Sequence, residues 1–270
     1  MDKYQQLITD YCYENELAEG TLRSYLKGLE KYKDIFGYEF SKENMVSYKK
    51  YLLDNFSPKT ANIRLQTMNR LMELIDRPKF RVKQVKIQQK NHVENVITER
   101  EYKKLCRKLL EDGNQTAYWR IQFLAKTGAR VSELIQFRKE HLIAGEMILW
   151  SKGKVKTIHI PKDLISEAKC FFDEVESDWL FPSRTDSSKH ISTRGVSQML
   201  INLAERYGIR KEVMHAHSFR HFFAIQMMKS TKDLTLVSDL LGHSSISTTQ
   251  IYTRMSKEDQ RKKVDRAITW

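Results

Sequence analysis

The sequence predicts a mainly α-helical protein of two units, the second interrupted by one small antiparallel β-hairpin. Three observations carry this. Apolar residues recur at helical spacing along most of the 270 residues. One region, 147–160, instead has two short β-rich runs around a Gly-containing turn. Pro78 opens a basic stretch that breaks the helical pattern between two otherwise well-patterned segments. With 40% apolar and 30% charged residues, the chain can bury a sizeable core, and its 10 Gly and 4 Pro argue against a collagen-like or loop-dominated chain. Aromatic and branched apolar residues throughout exclude disorder as the main state.

Taken in order, a helix is expected near 4–17. A second covers 21–36, with Leu22, Tyr25, Leu26, Leu29, Tyr32 and Phe36 on its inner side, Gly20 and Thr21 at its start and Gly37 at its end. A third falls near 42–54. The fourth opens at Ser57-Pro58, a side-chain cap followed by proline in the first helical position. Ala61, Leu65, Met68, Leu71, Met72 and Ile75 then form its apolar row, leaving Lys59, Arg64 and Arg70 off that row to meet phosphates. Residues 1–77 thus form a four-helix unit. Residues 78–95 read as a basic linker carrying Lys79, Arg81, Lys83, Lys86 and Lys90, with no acid until Glu94; the plainer alternative is a solvated connector with a short strand through 80–85.

The second unit, 96–270, opens with a capping box, Thr98-x-x-Glu101, ahead of Tyr102, Leu105 and Leu109. Helical spacing resumes through 117–124. The runs 147–150 (MILW) and 156–160 (KTIHI), around the tip Ser151-Lys-Gly-Lys154, form the hairpin, and helices return from Leu164.

Charge narrows the class of partner. The formal net charge is +13. Residues 1–40 hold 5 basic and 8 acidic side chains, a net of −3, whereas 41–90 hold 12 basic and 4 acidic, a net of +8. An excess gathered in one stretch predicts a basic face for a polyanion rather than an even coating. The N-terminus lacks the pattern of a signal peptide, and no run approaches the ~18 uncharged apolar residues that a membrane span needs. Cys12, Cys106 and Cys170 are odd in number and widely spaced, as reduced thiols would be. A cytoplasmic, nucleoid-associated protein is expected.

Four features of the second unit carry chemistry together: Arg130 and Glu133 in 127–134 (TGARVSEL); Lys152 at the hairpin tip; His217 and Arg220 in 217–221 (HSFRH); and His243, followed nine residues later by Tyr252. Singly, each has an ordinary explanation, and a helical tyrosine is far more often core than nucleophile. Jointly they form an inventory for phosphoryl transfer. Two guanidinium forks can clamp a phosphate, a lysine or histidine can protonate a leaving oxygen, and a phenol can attack phosphorus.

These blocks resemble those of the tyrosine recombinase, or phage integrase, family, including its Xer-type enzymes. Residues 127–134 are similar to the family's T-G-x-R-x-S-E-L, 217–224 (HSFRHFFA) to H-x-L-R-H-x-F-A, and 240–252 (LLGHSSISTTQIY) to L-G-H-x-x-x-x-T-T-x-x-Y; Thr21-x-x-x-Tyr25 is a weaker match to the core-binding domain. The resemblance implies a site-specific recombinase with a helical core-DNA-binding domain and a mainly α catalytic domain, closing as a clamp on duplex DNA. Tyr252 would open a strand and keep its 3′ phosphate as a phosphotyrosyl ester. Arg130 and Arg220 would hold the phosphate, a stabilisation of the kind whose loss costs ~3–4 kcal/mol. Lys152 would protonate the leaving 5′ oxygen, His217 would assist proton removal from a phenol whose free pKa is ~10, His243 would bond the phosphate, and Glu133 would brace the site. No cofactor, metal or ATP is implied, since the tyrosyl ester conserves the energy of the broken bond. The implied assembly is a homotetramer on two DNA sites, a monomer or dimer without DNA, and no arm-binding module is expected before the first unit.

Two departures from the family pattern bear on these assignments. Ser151-Lys-Gly stands where many members have Gly-Lys-Gly, and the hairpin is slightly longer before Pro161, so Lys154 and Lys156 remain open beside Lys152 as the acid. Phe219 replaces the usual leucine, a packing change. His92, His141, His159, His190, His215 and His221 have no metal-ligand spacing and read as ordinary or DNA-facing polar residues, with support of the neighbouring site through adjacency to Arg220 left as the alternative for His221. In the tail 254–270, Val264, Ala267, Ile268 and Trp270 could anchor on a neighbouring protomer or on their own subunit. Two rivals stand beside recombination: a topoisomerase-like relaxing enzyme, and a DNA-binding regulator with a vestigial site.

Overall fold

A computed structural model describes residues 2–87, 95–151, 154–242, 249–252 and 265. The chain divides into two compact units, Met1–Gln89 and Lys90–Trp270.

The first unit is built from α1 (Lys3–Glu14), α2 (Glu19–Phe36), α3 (Lys42–Asn55) and α4 (Pro58–Leu74), followed by a 3-10 turn at Pro78–Phe80. Side-chain caps set three of the four starts. Asp2 and Gln5 form a capping box on α1, Ser41 accepts from the Asn44 amide on α3, and Ser57 accepts from the Thr60 amide on α4. The first helix stops short of residue 17 because Asn15 caps it and the Leu17 amide folds back onto the Cys12 carbonyl at 2.8 Å. The second begins at Glu19, earlier than expected, because the Ala18 carbonyl accepts from both Thr21 and Leu22. Leu29, Tyr32, Met45, Tyr48, Leu52, Ala61, Leu65, Met68 and Leu71 are fully buried and form the core. Tyr48 can be buried because its hydroxyl donates to the Gly28 carbonyl at 2.9 Å.

The stretch after Pro78, read from sequence as the start of a linker, packs on this unit as far as it is described. Asn69 bonds both the amide and the carbonyl of Val82, and Asn62 does the same for Val85, so two α4 side chains hold an extended backbone as a neighbouring strand would. Val82 enters the core. The polar side chains doing this lie off the apolar row, which is why hydropathy alone does not reveal the docking.

The second unit runs α5 (Glu99–Glu111), α6 (Gln115–Thr127), α7 (Val131–Leu134), α8 (Lys139–Ala144), β1 (Glu146–Ser151), β2 (Lys154–His159), α9 (Lys162–Asp173), α10 (Thr193–Tyr207), α11 (Ala216–Thr231) and α12 (Leu234–Leu241), with 3-10 turns at Lys211–Val213 and Gln250–Tyr252. The Thr98/Glu101 capping box starts α5. The two strands pair antiparallel, with Glu146 opposite His159 and Ser151 opposite Lys154. Because side chains alternate across a strand, Met147, Leu149, Lys156 and Ile158 share the inward face while Ile148, Trp150 and Val155 face out and are exposed. α6 runs through the middle of the core, with Ile121, Phe123 and Leu124 fully buried, and Phe123 packs edge-on against Phe137, Phe172 and Phe181. Cys12 is buried, Cys106 partly buried and Cys170 exposed, all unbridged. Among the described residues no helix is long and apolar enough to cross a membrane, and no three His, Cys, Asp or Glu side chains form a group that could hold a metal ion.

Candidate active site

The site gathers where the end of α6, the inward face of β2, and α11 and α12 meet. Thr127 closes α6 by donating to the Phe123 carbonyl at 2.6 Å and accepting from the Ala129 amide. Gly128 then turns the chain with φ +65°, and a Cβ there would run into the Phe223 ring, so both the conformation and the space require glycine. The turn delivers Arg130 to the start of α7, where its amide and its Nη1 each donate to a Glu133 carboxylate oxygen at 2.7 Å.

Arg220 comes from α11 and is 1% exposed, the largest of the fully buried side chains. Its Nη1 donates to the Gly128 carbonyl at 2.8 Å, and its Nη2 donates to the Leu241 carbonyl at the end of α12. The guanidinium therefore ties two chain segments to α11, and the forked shape of arginine is what lets one side chain serve both. Burial, with the Arg130 charge nearby, lowers it to about 10, still charged at neutral pH.

The third cation is Lys156. Its place on the inward face of β2 carries the ammonium to Glu133, 2.7 Å from Oε2, the same oxygen that accepts from the Arg130 amide and lies 3.9 Å from Arg220 Nη1. Its stem passes Gly242, which has φ +61° and where a Cβ would come within 2.8 Å of Lys156 Cδ. One carboxylate thus faces three cations, and the titration shifts follow from that imbalance. Burial alone would raise Glu133, but the bonds from Lys156 and Arg130 outweigh it and hold the carboxyl below its ordinary value. Burial lowers Lys156 to about 8, with Arg220 and Arg130 pushing the same way and Glu133 resisting.

Tyr252 sits in the 3-10 turn at Gln250–Tyr252, its ring packed on the cluster formed by Ala224, Val237 and Leu241. Burial pushes its phenol up to about 12, and the Arg220 charge acts in the opposite direction. Its hydroxyl lies 2.5 Å from His221 Nδ1. His217, one turn earlier on α11, is exposed and meets the His221 ring edge-to-face at 4.7 Å. His215 caps α11 by accepting from the Ser218 amide. Phe219 is fully buried in the core, in keeping with a packing role.

Of the residues singled out from sequence, Arg130, Glu133, Arg220 and Tyr252 come together, with His217 beside them on α11. Lys152, His243, Lys90, His92 and the tail residues Val264, Ala267, Ile268 and Trp270 lie outside the described residues. Lys156, left open from the sequence beside Lys152 and Lys154, joins the assembled residues through Glu133; its signal is that it shares a strand face with Ile158. His221 stands directly after Arg220, the adjacency that the sequence offers as its alternative role, and about a third of a helical turn from that side chain; its contact with the Tyr252 hydroxyl is what the sequence does not show.

On the first unit, Lys59, Lys79, Lys83 and Lys86 are exposed. Arg81 is exposed but paired with Glu73 at 2.7 Å. Arg64 and Arg70 are not free: Arg64 lies over the Phe56 ring at 3.9 Å, and Arg70 pairs with Glu73 and covers the Tyr11 ring. Both are half-buried, because the helix face next to the apolar row is covered by α1 and by the end of α3.

Comparison with known proteins identifies the family and the fold. The phage integrase family pattern matches residues 95–259. Tyrosine recombinase XerA of Pyrococcus furiosus is 33% identical over 178 residues, 63% of this chain and 61% of that protein. Tyrosine recombinase XerD of Rhizobium meliloti is 35% identical over 146 residues, 51% of this chain and 47% of that protein. These matches span only about half to three-fifths of the relatives' lengths. A tyrosine recombinase of Thermosipho africanus aligns at 24% identity over 96% of this chain and 98% of its own. Among solved structures, the Tn1549 transposon integrase in complex with transposon right end DNA shares the fold with a TM-score of 0.75 at 14% identity, covering 98% of this chain and 99% of that one. The XerH recombinase bound to difH substrate has a TM-score of 0.70 at 19% identity, covering 90% and 78%. The chain, with its arginines, glutamate and tyrosine assembled in the matched region, belongs to the phage integrase family.

Proposed function

We propose that the protein is a site-specific DNA recombinase that breaks and rejoins duplex strands through a covalent 3′-phosphotyrosyl intermediate, without metal or ATP. The single observation that carries this reading is Tyr252 lying against α11 within the electrostatic reach of a fully buried Arg220, which shares Glu133 with Arg130 and Lys156. Arg130 and Arg220 hold the non-bridging oxygens of the scissile phosphate and offset the charge that grows on them. The Tyr252 oxygen bonds to phosphorus, the bond to the 5′ oxygen breaks, and the 5′ oxygen takes a proton from a hairpin lysine. The new 5′ hydroxyl of a second strand then attacks the tyrosyl ester and releases the enzyme. Glu133 keeps Arg130 oriented, and His243 bonds the phosphate.

Lys152 is our assignment for the acid. A second reading, favoured by burial against Glu133 and a pKa near 8, gives the proton to Lys156. Exposed Lys59, Lys79, Lys83 and Lys86, with Arg81, meet the DNA backbone, and Arg64 and Arg70 join them only by leaving their present partners. Two core sites are joined by a homotetramer. The structures that share this fold include XerH bound to difH substrate and the Tn1549 integrase in complex with transposon DNA, which supports DNA as the substrate.

The test uses a nicked duplex carrying the site recovered by binding-site selection with the full chain. A denaturant-resistant protein–DNA adduct is expected, and exchange between two marked duplexes follows. Binding without any adduct would favour a regulator; relaxation of supercoils without exchange would favour a topoisomerase-like enzyme.

A further inference from the structure

We propose that His221 is a further catalytic residue, whose Nδ1 holds the Tyr252 hydroxyl and takes its proton as the phenolic oxygen bonds to phosphorus. The inference rests on the reading of Tyr252 as nucleophile and adds to it the group that activates it. Sequence reasoning gave that task to His217. The structure assigns it to the next histidine along the same helix.

Arg220 and His221 are consecutive on α11, so their side chains diverge by about 100°. Arg220 goes into the core and reaches Gly128 and Leu241. His221 therefore faces the side where the Gln250–Tyr252 turn packs, and its Nδ1 meets the phenol at 2.5 Å with ring centroids 5.5 Å apart. His217 lies one turn earlier and touches His221 rather than intervening between it and the tyrosine, its ring edge-to-face at 4.7 Å. The two imidazole rings stand nearly perpendicular, and Nδ1 is the His221 nitrogen that meets the hydroxyl.

The chemistry needs such a group. Burial raises the Tyr252 phenol to about 12, so at pH 7 about one molecule in 10⁵ would hold it ionised. With the ring hydrogen on Nε2, the Nδ1 lone pair accepts the phenol hydrogen bond. As the Tyr252 oxygen forms its bond to phosphorus, the O–H bond breaks and the proton passes to Nδ1. The P–O5′ bond breaks, its electron pair leaves with the 5′ oxygen, and a hairpin lysine protonates that oxygen. On rejoining, the attacking 5′ hydroxyl gives its proton back to that lysine as its oxygen bonds to phosphorus, the bond from phosphorus to the Tyr252 oxygen breaks, and the imidazolium returns its proton to the departing phenolate. Atoms and charge balance with no co-reactant.

The experiment compares wild type, His221→Asn, His221→Ala and His217→Asn as full chains on the nicked duplex described above. Asparagine keeps a polar atom near the position of Nδ1 but cannot carry the proton. Adduct formation is expected to slow ~10²-fold or more in both His221 variants, with duplex binding and melting temperature unchanged for His221→Asn, and imidazole in the buffer should restore part of the rate to His221→Ala. His217→Asn should lose less. In the free protein, ¹³Cζ-tyrosine NMR, with the Tyr252 signal assigned through Tyr252→Phe, should show that signal alone moving in His221→Ala. His221→Asn cleaving at the wild-type rate, or a Tyr252 signal indifferent to His221, would overturn the inference while leaving Tyr252 as nucleophile. Failure of wild type to form any adduct on a duplex it binds would overturn both.

Discussion

Replacing Arg220 with lysine separates a structural from a chemical demand on the same side chain. Two different nitrogens of Arg220 serve two carbonyls on separate segments, Gly128 after α6 and Leu241 at the end of α12, in a position where 2% of the side chain is exposed. A lysine brings one nitrogen to the region and leaves one buried carbonyl without its donor. Losing one charge-assisted bond and exposing its partner to desolvation costs ~1.5–3 kcal/mol. For a domain of this size each kcal/mol moves the midpoint ~2–4 °C, giving a fall of ~3–12 °C in the melting of the second unit. Arg130→Lys is the comparison. That side chain is 40% exposed and its carboxylate keeps Lys156, so a loss of ~0–1 kcal/mol and at most ~4 °C is expected. Thermal unfolding followed by circular dichroism reads both variants, while adduct formation should be severely reduced in each. Arg220→Lys melting with wild type, or with Arg130→Lys, would refute the claim that this guanidinium holds the site together.

Tyr252→Phe should abolish the covalent adduct and leave duplex binding within about twofold in a mobility-shift titration; a parallel loss of binding would contradict the assigned role. Lys152→Ala should slow cleavage and recover on a duplex whose leaving group is a 5′ thiolate, which needs no acid, whereas recovery confined to Lys156→Ala would transfer the role to Lys156. Lys156 is lowered from an ordinary 10.5 to about 8 in the folded state. Between those values the unfolded chain binds the extra proton, so this residue makes stability rise with pH from about 8 to 10.5. Denaturant melts at pH 7.5 and 10 should show that gain in wild type relative to Lys156→Met, and equal gains in both would contradict it. Gly242→Ala should lose more stability than Gly113→Ala. Both have positive φ, a cost of ~1–2 kcal/mol for alanine, but only position 242 has the Lys156 stem within 2.8 Å of the new carbon.

Much of this arrangement was readable from the chain. The capping box at Thr98, the Ser57-Pro58 start and the two β-rich runs around a Gly-containing turn are local signals, and they set the element order. Arg130, Arg220 and Tyr252 were legible because a spaced set of unusual residue types is specific when its members occur together. What escaped depends on packing between distant segments. The Asn62 and Asn69 clasp that holds residues 82–85 joins side chains more than a dozen residues from their partners and leaves no periodic trace. Arg64 and Arg70 looked available because charge counting does not see an aromatic ring beneath a guanidinium. The contact of His221 with Tyr252 escaped because the two are 31 residues apart, although adjacency to Arg220 was visible.

In the proposed mechanism the Tyr252 oxygen is the atom that takes the broken strand. The most direct measurement is mass spectrometry of the adduct trapped on the nicked duplex, after nuclease and protease digestion. The peptide containing Tyr252 should carry a nucleotide joined through its 3′ phosphate, with the tyrosine as the modified residue. A nucleotide on any other side chain, or on Tyr252 through a 5′ phosphate, would contradict it.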